Sequence, residues 1–291
     1  MIRAADAIAA LRERLTGASP SAALDAELLV ARVLGIGRSA LAADPGRVLA
    51  PEDLFALESF ARRRLTGEPI AYLAGRREFW SLDLEVTPDV LVPRPETELL
   101  VERALAAIAG IARPAVLDLG TGSGAIALAI ASMRVDAAVT ATDRSAAALA
   151  VAQRNAARLG FANVTFVQGD WFIPLAGGRF DAIVSNPPYV AAGDPALMAL
   201  AHEPHSALVA GADGLEALSA VAAGACAHLL PGGRLLLEHG AGQGVAVRNL
   251  LRDAGLAGVE TLRDLAGHER ASEGTRPREA VESSVPTERM R

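Results

Sequence analysis

Val116-Leu117-Asp118-Leu119 runs directly into Gly120-Thr121-Gly122-Ser123-Gly124 and then into Ala125-Ile126-Ala127-Leu128-Ala129-Ile130. A short apolar strand that turns on glycines into an apolar helix is the opening unit of a doubly wound α/β sheet. Glycines at alternate positions let the backbone approach a ligand where a Cβ would clash. The helix that follows offers unpaired N–H groups at its start. The loop alone is a weak signal, because Gly120, Gly122 and Ala125 also satisfy the loosest dinucleotide fingerprint, and a plain strand-to-helix turn needs no ligand. Asp143 closes the next strand in Ala141-Thr142-Asp143, where a carboxylate can accept both hydroxyls of a ribose.

Outward from this unit, apolar strands at 116–119, 138–141, 164–167, 182–185 and 234–238 alternate with helical segments. That alternation predicts a mainly parallel, doubly wound sheet. Upstream, residues 1–77 read as helices only: 5–15, 22–34 and 51–65 carry apolar residues at three-and-four spacing, and Pro51 suits a first helical turn. Between 78 and 94 the period switches to two through Phe79, Leu82, Leu84 and Val86, then Val90-Leu91-Val92, which predicts a β-hairpin linker. Residues 95–270 form the sheet domain. Residues 271–291, aperiodic and rich in Glu, Arg, Ser and Pro, read as a disordered tail.

Composition narrows the partners. A 291-residue chain of net charge −6 gives no electrostatic reason for tight nucleic-acid binding. All 28 basic residues are arginine, and the one run, Arg62-Arg63-Arg64, reads as a solvated helix face. A single cysteine, Cys226, excludes an internal disulfide framework and fits a reducing, cytoplasmic compartment. No apolar run approaches ~20 residues, so no membrane attachment is expected. His202, His205, His228, His239 and His268 lack metal-ligand spacing, and no metal is expected.

Two features distinguish the cofactor. Asp118, just before the loop, can order it and face a ligand's ammonium. Gly169-Asp170-Trp171 follows the third strand, where an acid and an indole can border an adenine; Trp171 reads equally as a boundary packing residue. A pyrophosphate site gains nothing from added negative charge. Adenosine with a zwitterionic tail fits better, which means S-adenosylmethionine. Glu96 and Thr97 can border the methionine end, or Thr97 can cap a helix N-terminus.

Behind Phe180-Asp181-Ala182-Ile183-Val184-Ser185 stands Asn186-Pro187-Pro188-Tyr189. Two prolines fix φ and remove donors, so the chain leaves the sheet edge in one rigid shape. An amide, carbonyls without competing donors and an aromatic face are held together there. Such a corner can grip a planar nitrogen nucleophile without charge. Asn186, Pro187 and Tyr189 are the candidate catalytic residues, and with Pro188 they are the candidate substrate contacts. The candidate cofactor residues are Thr97, Asp118, Gly120, Thr121, Gly122, Ser123, Gly124, Asp143, Asp170, Trp171 and Asn186.

Taken together, 118–124, Asp143, Asp170-Trp171 and the Asn-Pro-Pro-Tyr cluster resemble class I S-adenosylmethionine-dependent methyltransferases acting on planar nitrogen. Over residues 20–270 the chain more narrowly resembles the protein-(glutamine-N5) methyltransferases of peptide chain release factors. That likeness is carried by Arg64-Leu65-Thr66-Gly67-Glu68-Pro69-Ile70-Ala71-Tyr72-Leu73, Glu78-Phe79-Trp80, Val92-Pro93-Arg94-Pro95-Glu96-Thr97-Glu98, Glu203-Pro204 and Gly211-Ala212-Asp213-Gly214-Leu215. It implies a helical substrate-docking domain, a hairpin linker and a seven-stranded sheet with one antiparallel edge strand. It also implies methylation of the glutamine of a Gly-Gly-Gln motif in a release factor. The chain departs from the pattern at 267–274, where β-branched residues are missing, and the sequence leaves open whether the last strand forms. The Asn-Pro-Pro-Tyr tetrapeptide alone also admits an adenine-N6 methyltransferase on nucleic acid. A nicotinamide dehydrogenase has no use for the proline corner, and a non-catalytic scaffold shows no turnover.

Overall fold

The computed structural model describes residues 1–175 and 177–278. Its first part is five helices: α1 (Ala4–Leu15), α2 (Ala22–Val33), α3 (Arg38–Ala43), α4 (Pro51–Leu65) and α5 (Ile70–Ala74). On α1 the buried residues are Ala4, Ala7, Leu11 and Leu15. That is one face of a 3.6-residue period, and it packs on Leu29 and Val30 of α2 and Leu57 and Ala61 of α4. Pro51 starts α4, and the Asp53 carboxylate accepts the Ala50 N–H at 2.9 Å. The basic run on α4 is not one solvated face. Arg62 and Arg63 pair with Glu58 and Glu68 at the surface, but Arg64 turns inward to the fully buried Asp25 at 2.7 Å.

A short hairpin follows, β1 (Arg76–Phe79) and β2 (Leu82–Glu85). It is tighter than the hairpin expected over 78–94. Trp80 and Ser81 form its turn at φ 52° and 59°, the left-handed pair that matches strand twist in two-residue loops. Neither residue is glycine or asparagine, so the turn gave no signal. Val90 and Val92 are buried in irregular chain, with the Tyr72 hydroxyl donating to the Val90 carbonyl at 2.6 Å.

The remaining elements are α6 (Glu98–Ala107), β3 (Ala115–Leu119), α7 (Ala125–Met133), β4 (Ala138–Asp143), α8 (Ala146–Leu159), β5 (Val164–Gln168), β6 (Phe180–Ser185), α9 (Glu216–His228), β7 (Leu229–Glu238), α10 (Gly244–Asp253), β8 (Ala257–Arg263) and β9 (Glu269–Thr275). The sheet order is β5-β4-β3-β6-β7-β9-β8, parallel through β7, with β9 antiparallel to both neighbours. The antiparallel strand therefore lies one in from the edge, not at it. Alternate strand residues serve opposite faces: Val116, Ala182, Val184 and Leu236 pack beneath α6 and α7, whereas Leu117, Leu119, Ile183, Leu235 and Leu237 pack against α9 and α10.

β9 supplies the last strand, which the sequence left open, and corrects the expected tail, since residues 271–275 belong to a strand. Its sequence is polar, but its neighbours supply the partners. Glu273 takes a two-pronged contact from Arg103 at 2.6 and 2.9 Å and a third from Arg234 at 3.1 Å. Ser272 joins His239 and Thr261 at 2.9 and 2.8 Å. The rest of the expected tail, 279–291, lies outside the described residues. Among the described residues, no helix is long and apolar enough to cross a membrane.

From β3 the chain winds outward to β5, then returns to place β6 on the other side of β3. Ligands of open α/β sheets gather at the carboxyl ends of strands flanking such a reversal. Leu119 and Ser185 are register partners, so the glycine loop and the Asn186 corner leave the sheet at the same level.

Candidate active site

The glycine loop is held from β4. Gly120 and Thr121 both donate N–H to the Thr142 carbonyl at 2.9 Å, and Gly122 donates to Asp143 Oδ2 at 3.0 Å. Gly120 and Gly122 sit at φ 71° and 56°, a conformation that strains any residue with a Cβ. Asp118 lies underneath, fully buried, accepting from the Thr121 hydroxyl at 2.6 Å and the Ala127 N–H at 3.2 Å. It orders the loop but is absent from the cleft lining. Burial pushes its pKa up to about 7 against the pull of those two donors. Gly124 also lies outside the lining; a Cβ there would crowd Leu128 and Ala152 at 3.1 and 3.2 Å, so it serves helix packing.

Above the loop opens a cleft of about 420 Å³, within the range of small-molecule sites. Of the expected cofactor residues, Thr97, Gly120, Thr121, Gly122, Ser123, Asp143, Asp170, Trp171 and Asn186 line it. Asp143 Oδ1 also accepts the Ser145 N–H at 2.9 Å, so its carboxylate is aimed by backbone on both sides. The Trp171 ring stands beside Gly120, where an added Cβ would come within 3.7 Å of it. Sequence reasoning missed several walls: the 89–94 segment, Thr142, the 204–210 segment, and Ala217 and Ala220 of α9. Pro93, Arg94 and Pro204 stand in runs that carry the resemblance but are not among the candidate site residues, and small residues such as Ala207, Ala217 and Ala220 give no local signal of what they face.

A second cleft, about 750 Å³, lies between Gly67 and Pro69 of the helical part, the 196–203 segment and Gly240 to Gln243. Tyr189 lines only this one. Asn186 lines both, so it stands where the two clefts meet. Pro188 faces the first, and the buried Pro187 lines neither. The corner is braced throughout. Ser185 donates its hydroxyl to the Leu119 carbonyl at 2.7 Å. Val190 and the 208–210 strap exchange backbone bonds at 2.8 and 3.0 Å. Gln243 Nε2 donates to the Tyr189 and Gly214 carbonyls at 3.0 and 3.3 Å.

Behind the corner runs a polar chain. Asn186 Nδ2 donates to Thr97 Oγ1 at 3.2 Å, and Thr97 donates to Glu238 Oε2 at 2.7 Å. Tyr189 donates its hydroxyl to Glu238 Oε1 at 3.3 Å. Thr97 therefore makes no capping bond to the following helix; its hydroxyl is spent in the site. Glu96 lies exposed, outside both clefts. Burial pushes Glu238 up to about 7 and raises Tyr189 above the ordinary phenol range.

The sequence also matches known proteins. A family model described as the methyltransferase small domain matches residues 95–213, and one described as the PrmC N-terminal domain matches residues 6–75. A release factor glutamine methyltransferase of Burkholderia pseudomallei is 53% identical, covering 90% of this chain and 95% of that one. The protein of the same name from Pseudomonas aeruginosa is 53% identical over 88% and 93%. A solved T. thermophilus 16S rRNA N2 G1207 methyltransferase, in complex with AdoMet and guanosine, covers 69% of this chain and 49% of that one at 22% identity and TM-score 0.53, a likeness of fold alone. With half its residues shared along nearly the full length of such relatives, and both family models matched in order, the chain belongs to the release factor glutamine methyltransferase family.

Proposed function

We propose that this protein transfers the methyl group of S-adenosylmethionine to the side-chain N5 of the glutamine in the Gly-Gly-Gln motif of a peptide chain release factor, in the cytoplasm. The observation that carries the reading is Asn186, tethered through its Nδ2 at the junction of a nucleoside-sized cleft and a wider, open one.

The first cleft fits the cofactor. Thr142 Oγ1, at its wall, is buried with no partner among the described residues, and buried polar groups normally have one. Gly120 and Gly122 leave space that a Cβ would fill, Asp143 suits ribose hydroxyls, and Asp170 with Trp171 suits the border of an adenine. When bound, S-adenosylmethionine supplies an electrophilic sulfonium methyl and takes back the C–S bond electrons as a neutral thioether.

The chain's own residues align the nucleophile. A glutamine amide nitrogen is weak because its lone pair is delocalised into the carbonyl. Asn186 Oδ1 accepts one of its hydrogens, and a backbone carbonyl of the proline corner accepts the other. Accepting both draws density onto nitrogen and directs its lone pair at the methyl. Tyr189 flanks the flat amide in the second cleft and keeps it dry. Positioning and preorganised dipoles supply most of the acceleration. The nitrogen proton becomes acidic only as the N–C bond forms and leaves to solvent through the open second cleft, so no dedicated base is needed. Residues 1–77 dock the release factor beside the sheet domain, which runs from residue 95 through β9.

Mass spectrometry of purified release factor incubated with the protein and labelled donor tests this. One added methyl on the Gly-Gly-Gln glutamine is expected. Label on DNA or RNA adenine, with none on the release factor, refutes it.

A further inference from the structure

We propose that Glu238 is a positioning residue for methyl transfer: acting through Thr97, it dictates which end of the Asn186 side-chain amide faces the substrate. The inference rests on the function proposed above and deepens it.

An asparagine amide has two ends of nearly equal shape, one a donor and one an acceptor. Packing alone does not choose between them; the hydrogen-bond chain does. Glu238 closes β7, and the register partners Ser185 and Leu237 place it beside Asn186 across the sheet. It is 1% exposed. Its two oxygens face hydroxyls: Oε2 that of Thr97 at 2.7 Å, Oε1 that of Tyr189 at 3.3 Å. An ionised carboxylate accepts and never donates. The Thr97 proton is thereby committed to Glu238, and the Thr97 oxygen is left to accept. What it accepts is Asn186 Nδ2 at 3.2 Å. Oδ1 then lies at the other end, and among the described residues no protein donor reaches it. The acceptor that the glutamine amide requires is left free.

A neutral side chain at 238 would pack at lower cost than a buried carboxylate. What only the acceptor-only group supplies is polarity along the chain. Protonated, it could donate to Thr97 and allow the amide to reverse. The charged and titratable groups around it are Arg270 on β9, Tyr189 from the proline corner and Glu96 from the turn before α6, with His239 next in the chain. Burial outweighs Arg270 and the two hydroxyls, so Glu238 titrates at about 7. Turnover should rise as pH climbs through that value.

Glu238→Gln keeps size and shape but adds an NH₂ that can donate to Thr97. Turnover on release factor is expected to fall at least tenfold and to lose its inflection near pH 7, with the calorimetric Kd for S-adenosylmethionine within threefold. Thr97→Ser, which retains the hydroxyl, should keep most activity, and Thr97→Val should fall with Glu238→Gln. The double variant Glu238→Gln/Thr97→Val should be no worse than either single. A Glu238→Gln turnover within twofold of wild type, a joint loss of turnover and donor affinity, or equal damage from Thr97→Ser and Thr97→Val would each overturn the proposal. A second readout needs no substrate: the Asn186 side-chain NH₂ resonances, located by their disappearance in Asn186→Asp, should shift in Glu238→Gln, and unchanged resonances count against the proposal. A wild-type protein that leaves release factor unmodified sinks the function proposed above, while these resonances still decide the role of Glu238.

Discussion

Placing one methyl group on Gly214 tests whether the position of the proline corner, and not merely its residue types, sets the rate. An ideal Cβ there would overlap the Tyr189 carbonyl oxygen and stand 3.0 Å from its carbon and 2.9 Å from Gln243 Nε2. The first obstacle is backbone, so no side-chain rotation relieves it. Restoring ordinary contact moves that carbonyl by about 1 Å, and misplacement on that scale costs roughly 10²-fold in rate. The same shift breaks the bond from Gln243 that braces Tyr189 at 3.0 Å. Gly214 also sits at φ 76°, where a Cβ costs roughly 1 kcal/mol of stability. Gly17→Ala is the control, because its φ is 85° but nothing lies within 4 Å of the added Cβ. Steady-state methylation of release factor should give a kcat for Gly214→Ala about a hundredfold below wild type. Donor Kd by calorimetry should stay within threefold, since neither Gly214 nor Tyr189 lines the first cleft. Gly17→Ala should lose similar stability in urea with full turnover. A Gly214→Ala kcat within threefold of wild type would refute the reasoning.

Asn186→Ala should lower kcat by about 10²–10³-fold, the usual effect of removing one aimed polar group, and leave donor affinity nearly intact; parallel loss of both would make the residue a cofactor contact or a brace. Asp143→Ala removes a carboxylate that holds the glycine loop at Gly122 and is itself aimed by the Ser145 N–H, and should weaken donor binding about 10–100-fold; an unchanged isotherm would take it out of the cofactor site. Asp118→Asn should alter how stability depends on pH. With a folded pKa of about 7 against 3.8 unfolded, the unfolded chain releases this proton first as pH rises, and the folded protein loses stability until about pH 7. Urea titrations should therefore show wild type losing about 3 kcal/mol relative to Asp118→Asn between pH 5 and pH 8; parallel curves would mean that Asp118 is not held neutral by burial.

What was legible in the sequence was what depends on near neighbours. The glycine loop, Asp143 and the Asn-Pro-Pro-Tyr corner each require a residue type at a fixed local offset, and strand-to-helix alternation put them at one sheet edge. Other features depend on partners far along the chain. The strand over Glu269–Thr275 shows no apolar alternation because its buried positions are Ala271, Ser272, Glu273 and Gly274, held by arginines 170 and 39 residues away. Arg64 reads as one of three surface charges until folding brings up Asp25.

Glu238 is the strongest instance of the same rule, and it bears on the chemistry. In the sequence it is one acid at the end of an apolar strand, a place where carboxylates usually meet water. Its role exists only because Thr97, 141 residues upstream, and Tyr189, 49 residues upstream, both point hydroxyls at it. Tyr189 gave a local signal through the prolines beside it, and Thr97 through the proline-rich run before α6, yet each was read singly. The three together form a directional chain ending at Asn186. An uncharged grip on an amide needs such a chain, because an amide that holds another amide must be kept from turning over. The proline corner fixes where the grip is; the buried acid behind it fixes which way it faces.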